Sequence, residues 1–252
     1  MIEPYLLGVQ HSSLEFSDPS VQQESDIHDL FRFGQKFPIK TGTESGPERS
    51  NSNRENLKKY ADFFNHEITF AADTWVAVDR KIAEPGSFKA GHVLTQGDLA
   101  EGTRGGPRDM AYLTFMHVEE GVGLISQLAA HFAIKGQDPG DPNHELNMRQ
   151  ARDITKWMTR MGRGNALAFV NGDFNMSDRK YDWAFSGKWT SMADELKQYH
   201  DTGHGAIDGL NSYDYDGRVE AVSYRVLDDE VFPQFHDHFV LRGVWGIKKL
   251  AR

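Results

Sequence analysis

Thirty-seven acidic against 28 basic residues give this 252-residue chain a formal charge of −9, the wrong sign for a protein that grips nucleic acid by phosphate neutralisation alone. It has no cysteine, which excludes disulfides, thiolate metal sites and cysteine nucleophiles together. With 38% hydrophobic residues, no apolar run near the ~20 residues of a membrane span and no signal peptide in Met1-Ile2-Glu3-Pro4, it reads as a single soluble, cytoplasmic domain over residues 1–252 with no membrane partner.

The apolar opening Tyr5-Leu6-Leu7-Gly8-Val9 predicts a first strand that gives way to a polar loop at Gln10-His11-Ser12-Ser13. Residues 25–36, with Ile27, Leu30, Phe31 and Phe33, suit an amphipathic helix. Residues 37–46 predict a second short strand that ends in Glu44, an acid set among Gly, Ser and Thr. Ser52-Asn53-Arg54-Glu55 has capping-box spacing before Leu57, Tyr60, Ala61 and Phe64, and residues 68–78 return to strand character. Residues 83–108 read as an irregular, Gly-rich hairpin carrying Arg104 and Arg108; they lack the Gly-Lys-Ser/Thr ending of a phosphate-binding P-loop. Residues 110–117 form a strong strand candidate terminated by His117, and Val122, Leu124, Ile125, Leu128, Ala129 and Phe132 suggest an apolar helix face. A further helix is expected over residues 144–161.

The run Ala166-Leu167-Ala168-Phe169-Val170-Asn171-Gly172-Asp173-Phe174-Asn175 predicts a strand buried on both faces. It stops in a Gly-Asp-x-Asn corner that projects Asp173 and Asn175 together, and Gly172 is expected to leave the strand in a conformation closed to most residues. Alone, such a corner is also an ordinary Asx-type turn. A short helix over 191–199 follows, then a Gly-rich loop with His200 and His204, the acidic strand start Asp208, a strand over 218–226, Phe235-His236-Asp237-His238-Phe239 and a last strand over 240–247. Strands at both ends with helices between strand pairs suit two sheets between helix layers.

His200 and His204 have zinc-like spacing, but their glycines argue for a loop and no general-base Glu stands in position. There is no Gly-x-Ser-x-Gly elbow, and no carboxylate pair stands out as a glycosidase pair. The polar groups recur instead at successive strand ends: Gln10, Glu44, His117, Asp173 with Asn175, Asp208, and Asp237 with His238. A cleft with that inventory, rich in hard oxygens, selects Mg²⁺ or Mn²⁺, ions that serve phosphoryl chemistry.

Glu44 after the second strand, His117, Gly172-Asp173-Phe174-Asn175, Ile207-Asp208 and Asp237-His238-Phe239, in this order, resemble the endonuclease/exonuclease/phosphatase superfamily, the deoxyribonuclease I and exonuclease III type. The resemblance implies a four-layer α/β/β/α sandwich and divalent-metal-dependent cleavage of phosphate esters. It implies Glu44 as principal metal ligand, with Asp237 and Gln10 at the same ion. Asp173 would orient or deprotonate the attacking water, and Asn175 would hold the scissile phosphate. His238, oriented by Asp208, would stabilise the phosphoryl oxygens, His117 would sit near the leaving group, and Arg104 or Arg108 would add a phosphate contact. Two departures stand out: Gln10, followed by His11, where the family usually has Asn, and His236-Asp237-His238 where it usually has Ser-Asp-His.

The leading expectation is a Mg²⁺- or Mn²⁺-dependent nuclease, with Arg49, Arg54, Lys58, Lys59, Arg104 and Arg108 as a basic strip. A phosphatase of a small or lipid-like phosphate ester is its rival, which the negative charge favours. An inactive binding module on the same fold is the third reading.

Overall fold

A computed structural model describes residues 3–14, 21–44, 50–72, 74–95, 108–132, 142–175, 189–198, 208–213, 215–227 and 240–251. The twelve strands described are β1 (Tyr5–Leu14), β2 (Ile39–Glu44), β3 (His66–Ala71), β4 (Thr74–Asp79), β5 (Lys89–Leu94), β6 (Asp109–Met116), β7 (Leu124–His131), β8 (Leu167–Asp173), β9 (Thr190–Ser191), β10 (Asp208–Tyr213), β11 (Val219–Leu227) and β12 (Val240–Ile247). They form two six-stranded mixed sheets, ordered β11-β12-β1-β2-β4-β3 and β5-β6-β7-β8-β10-β9.

The helices are α1 (Val21–Phe33), α2 (Ser50–Phe63), α3 (Pro142–Met161) and the short α4 (Met192–Leu196). Three apolar clusters build four layers. Ile27, Leu30 and Phe31 of α1 and Leu57 and Ala61 of α2 cover Trp75 and Ala77 on the outside of the first sheet. Leu7, Val9, Val76, Val78, Phe115, Ile125, Phe169 and Trp245 fill the space between the sheets. On the outside of the second sheet, Ala151, Ile154, Trp157 and Met158 of α3 recur at helical spacing against Leu128, Ala130, Ala168 and Val170. The architecture is therefore the expected α/β/β/α sandwich, and β8 is buried at every position, as its unbroken apolar run implies. No helix among the described residues is long and apolar enough to cross a membrane.

Several elements differ from expectation: β1 runs through Gln10-His11-Ser12-Ser13 to Leu14, and β5 is a regular strand within the stretch read as an irregular hairpin. Residues 66–79 fold into the hairpin β3–β4, turned at Ala72 with φ of 36°, rather than one strand. Residues 124–131 form strand β7, not a helix, because the parallel ladder to β8 and the antiparallel ladder to β6 claim both of their edges.

The sheets have two distinct ends. At one, β1, β2, β7 and β8 finish while β4, β6, β10 and β12 begin; the Ala111 amide donates to Thr74 Oγ1 (2.8 Å) between the sheets there. The opposite end is closed by Arg218, 5% exposed. Its guanidinium donates to the carbonyls of Lys248 (3.0 Å), Asn165 (2.9 Å), Gly121 (2.7 Å) and Val122 (3.0 Å), tying the turns before β7 and β8 to the end of β12. Arg218→Ala would leave buried carbonyls unpaired, at a cost of roughly 3 kcal/mol. Urea unfolding should show a lower midpoint with an unchanged slope.

Candidate functional site

Three neighbouring strands of the second sheet deliver polar residues to one rung. His131 on β7 lies opposite Asp173 on β8 in the parallel ladder, and Asp208 on β10 lies opposite Asp173 in the antiparallel one. Side chains alternate along a strand. Leu167 and Phe169 point into the intersheet core, so Asn171 and Asp173, in step with them, face the first sheet. Asp173 and Asp208 are both buried. His131 Nε2 stands 3.9 Å from Asp173 Oδ2, and His11 Nε2, reaching across from β1, stands 3.8 Å from Asp208 Oδ1.

The corner after β8 is fixed by its own bonds. The Asn175 backbone N–H donates to Asp173 Oδ1 (2.7 Å), and its Nδ2 donates to Asp173 Oδ2 (3.2 Å) and to the Phe132 carbonyl (3.1 Å). The Phe132 amide returns a bond to the Asp173 carbonyl (2.9 Å). Asn175 takes the left-handed conformation, φ 50°, which asparagine tolerates better than most residues. Phe174 is fully buried and packs edge-on against Phe132 at 5.2 Å, anchoring the corner from behind. The carboxylate of Asp173 is thus held in one orientation at the mouth of the sandwich.

Gln10 and His117 do not join this row. On β1 the inward residues are Leu7, Val9 and His11, so Gln10 faces the opposite way. Its Oε1 accepts from Arg242 Nε (2.9 Å), and it shares its rung with Arg242 and Lys40 beneath Gly34 at the end of α1. His117 follows β6 at the far end of the sheet, where its N–H donates to the Gly123 carbonyl (3.0 Å). The eight residues of β7 from Leu124 to His131 separate it from Asp173 by about 23 Å at the rise of a strand. There the Glu119 amide donates to His117 Nδ1 (2.8 Å), and its ring meets Tyr5 at 4.5 Å. Geometry decides both placements: a strand has two faces and two ends, and Gln10 lies on the outer face and His117 at the far end.

His131 takes the strand-end place expected of His117, and His11 takes the inward place expected of Gln10. Sequence reasoning missed both. Counting in twos from Leu7 and Val9 would have found His11; reading residues 124–131 as a strand would have found His131.

Arg108 leads into β6 at the Asp173 end, its N–H donating to Thr95 Oγ1 (2.9 Å). Glu44 ends β2 at this end too, opposite Leu14 in the register, but its side chain lies outside the described residues. Asp237, His238 and Arg104 also lie outside them, as do His200 and His204; β12 begins at Val240, beside the end of β1. Among the described residues no three His, Asp or Glu side chains form a group able to hold a metal ion on their own. The donor chemistry nevertheless fits a divalent cation. Two buried carboxylates on one rung repel each other unless positive charge stands near them, and carboxylate oxygens are the donors that Mg²⁺ and Mn²⁺ prefer.

Burial lowers the pKa of His117 to about 4, against a smaller opposing effect of Glu119. The unfolded chain therefore binds this proton more readily between pH 4 and 6.5, so stability rises with pH across that window and falls as pH drops through it. His117→Gln should flatten that part of a stability-versus-pH curve measured by chemical unfolding.

No family model matches the sequence, and no curated protein matches it. Solved structures do. An endonuclease/exonuclease/phosphatase family protein from Bacteroides thetaiotaomicron superimposes with a TM-score of 0.68 at 15% identity, over 98% of this chain and 96% of its own. D. rerio TDP2 complexed with single-strand DNA product gives 0.67 at 11% identity, over 95% and 98%. A mannosyl-6-phosphatase from B. thetaiotaomicron gives 0.66 at 15% identity, over 95% and 99%. The two packed sheets, their helix layers and these superpositions agree: the chain has the deoxyribonuclease I-like fold of the endonuclease/exonuclease/phosphatase proteins.

Proposed function

We propose that this protein is a divalent-metal-dependent phosphoric ester hydrolase, and that it cuts phosphodiester bonds of nucleic acid. The observation that carries this reading is the rung of His131, Asp173 and Asp208 with His11 closing on it from the other sheet. Asp173, its orientation locked by both donors of Asn175, is set to position a water and take up its proton. Asn175 also fixes the distance between that carboxylate and the phosphate it would hold. His131, beside Asp173, is placed to donate to a phosphoryl or leaving oxygen. Asp208 would fix the tautomer of His238, a neutral donor to the developing charge. Glu44 and Asp237 are the residues that would hold Mg²⁺ or Mn²⁺; when bound, the ion neutralises charge gathering on the phosphoryl oxygens.

The choice of nucleic acid rests on cations at the same end. Arg54 and Lys58 of α2 lie over the Phe70 ring of β3 at 5.5 and 5.6 Å, and Arg54 Nη2 donates to the Ala72 carbonyl in the β3–β4 turn at the same end of the sandwich. With Arg108 they offer a track for successive phosphates. The solved TDP2 of the same fold carries single-strand DNA product. A small phosphate ester is the second reading, favoured by the −9 charge and by the like-folded mannosyl-6-phosphatase.

With Mg²⁺ or Mn²⁺ the protein should cleave single-stranded DNA, plasmid or RNA, and stop when the metal is chelated. Asp173→Asn should lower kcat on the order of 10²–10⁴-fold, as expected for loss of a positioned base, with the unfolding midpoint little changed, while His117→Gln keeps its activity. Turnover of small esters alone would replace the nucleic-acid substrate. Near-normal hydrolysis by Asp173→Asn would remove the mechanism.

A further inference from the structure

Helix α3 carries a charge pattern that no step above uses. Arg149, Arg152, Lys156 and Arg160 recur every three or four positions and therefore share one face of the helix. A spacing of four rises about 6 Å along the axis, so the face offers roughly one cation per turn. It does so in a protein whose formal charge is −9. The apolar positions Ala151, Ile154 and Met158 point elsewhere, into the second sheet.

A hollow of about 360 Å³ opens where this basic face meets the edge strand β5, a volume in the range of ligand-binding pockets. Asp153, Lys156, Trp157 and Arg160 line it from α3, and Val93 and Leu94 from β5. Asp153 pairs with Lys156 (3.0 Å), whereas Arg160 makes no ion pair among the described residues, so positive charge is in excess. Trp157 is 3% exposed, and its indole N–H finds no acceptor among the described residues. Its ring meets Tyr112 at 5.3 Å, and Tyr112 lines a second hollow of about 410 Å³ together with Lys89 and Met161. A Cβ at Gly91 would stand 2.4 Å from Tyr112, so the glycine leaves room for that ring to lie across β5. The two hollows thus make one groove, with cations along its α3 side and aromatic rings between them.

The groove reaches the end of the sandwich that carries Asp173. Leu94 pairs with Asp109 at the start of β6, and the Thr95 amide donates to the Arg108 carbonyl (2.8 Å). From β8 to β5 is three strand spacings, about 14 Å.

We propose that the groove between α3 and β5 holds the single strand flanking the scissile bond, with Lys156 and Arg160 on its phosphates and Tyr112 against a base. This rests on the hydrolase reading for the cut itself and adds where the rest of the substrate lies. A basic groove interleaved with aromatic rings suits a single strand, whose bases have free faces; a duplex keeps its bases stacked inside. A lipid surface is a poorer occupant. An interfacial helix inserts an apolar face, and α3 exposes no large apolar side chain.

Fluorescence anisotropy of a labelled single-stranded oligonucleotide, titrated with the full chain in a metal chelator over a series of salt concentrations, tests the groove without cleavage. Lys156→Gln with Arg160→Gln should weaken binding about tenfold at low salt and reduce the slope of log Kd against log salt by about 1.4, near 0.7 for each lost phosphate contact. Both side chains stand outside the core, so the unfolding midpoint should stay in place. With Mg²⁺ or Mn²⁺ added, the double variant should show a raised KM on the long strand, with kcat and the hydrolysis of a small phosphodiester unchanged. Wild-type affinity and salt slope in the double variant would overturn the proposal. So would binding to phosphatidylserine vesicles that is lost in the variant while strand binding is not, which would give this face to a membrane. Normal long-strand KM in an active double variant would remove the groove and leave the hydrolase reading standing. Strand binding lost in the variant of a protein that hydrolyses nothing would keep the groove as a strand-binding site and remove the hydrolase reading.

Discussion

A single methyl group at position 172 would sit 2.1 Å from the carbonyl oxygen of Ala130. That distance is impossible for a real side chain, so β7 and β8 can keep their parallel register at the cleft end only because residue 172 is glycine. The register in turn places His131 opposite Asp173, and β10 adds Asp208 to the same rung. The bonds from Asn175 to Phe132 and from Phe132 to Asp173 hold because the two strands end together. The whole candidate site thus depends on one close backbone approach.

The two ends of the sandwich divide stability from chemistry. At the far end, Arg218 collects four carbonyls, the Glu119 carboxylate pairs with Lys249, and His117 is held neutral by burial. The bonds of Arg218 there close turns. At the cleft end, carboxylates and imidazoles lie near one another, and the buried Asn171 side chain makes no hydrogen bond. Polar groups arranged in that way cost stability, which proteins tolerate where binding or catalysis repays it. The proposed chemistry therefore uses the end where the strands finish, on rigid ladders rather than free loops.

Much of this was legible in the sequence, and the misses share a cause. The last strand was bounded correctly at Val240 and Ile247, and the buried character of β8 followed from its unbroken apolar run. The Asp173–Asn175 corner was found because Gly-Asp-x-Asn carries its own local bonding. Long-range facts were less visible. Residues 124–131 contain apolar residues at spacings that fit a helix as well as a strand, and only their pairing with β6 and β8 decides between them. Read as a helix, residues 124–131 do not bring His131 to a strand end beside Asp173. Gln10 was preferred to His11 because β1 was expected to stop at Val9; it runs on to Leu14, and parity then gives the inward place to His11. The Gly-Asp-x-Asn corner predicts an unusual backbone conformation at Gly172, whereas the left-handed residue is Asn175, and the glycine is required by packing. No local pattern announces a close approach between strands some forty residues apart.

The central claim is that Asp173 directs a water at phosphorus. Hydrolysis of a single-stranded oligonucleotide in ¹⁸O-enriched water, in the presence of Mn²⁺ and under single-turnover conditions, tests it most directly. The account predicts one solvent oxygen in each phosphate-bearing product, formed at a rate that collapses in Asp173→Asn. A product phosphate without solvent oxygen, or the same rate of incorporation in the variant, would contradict it.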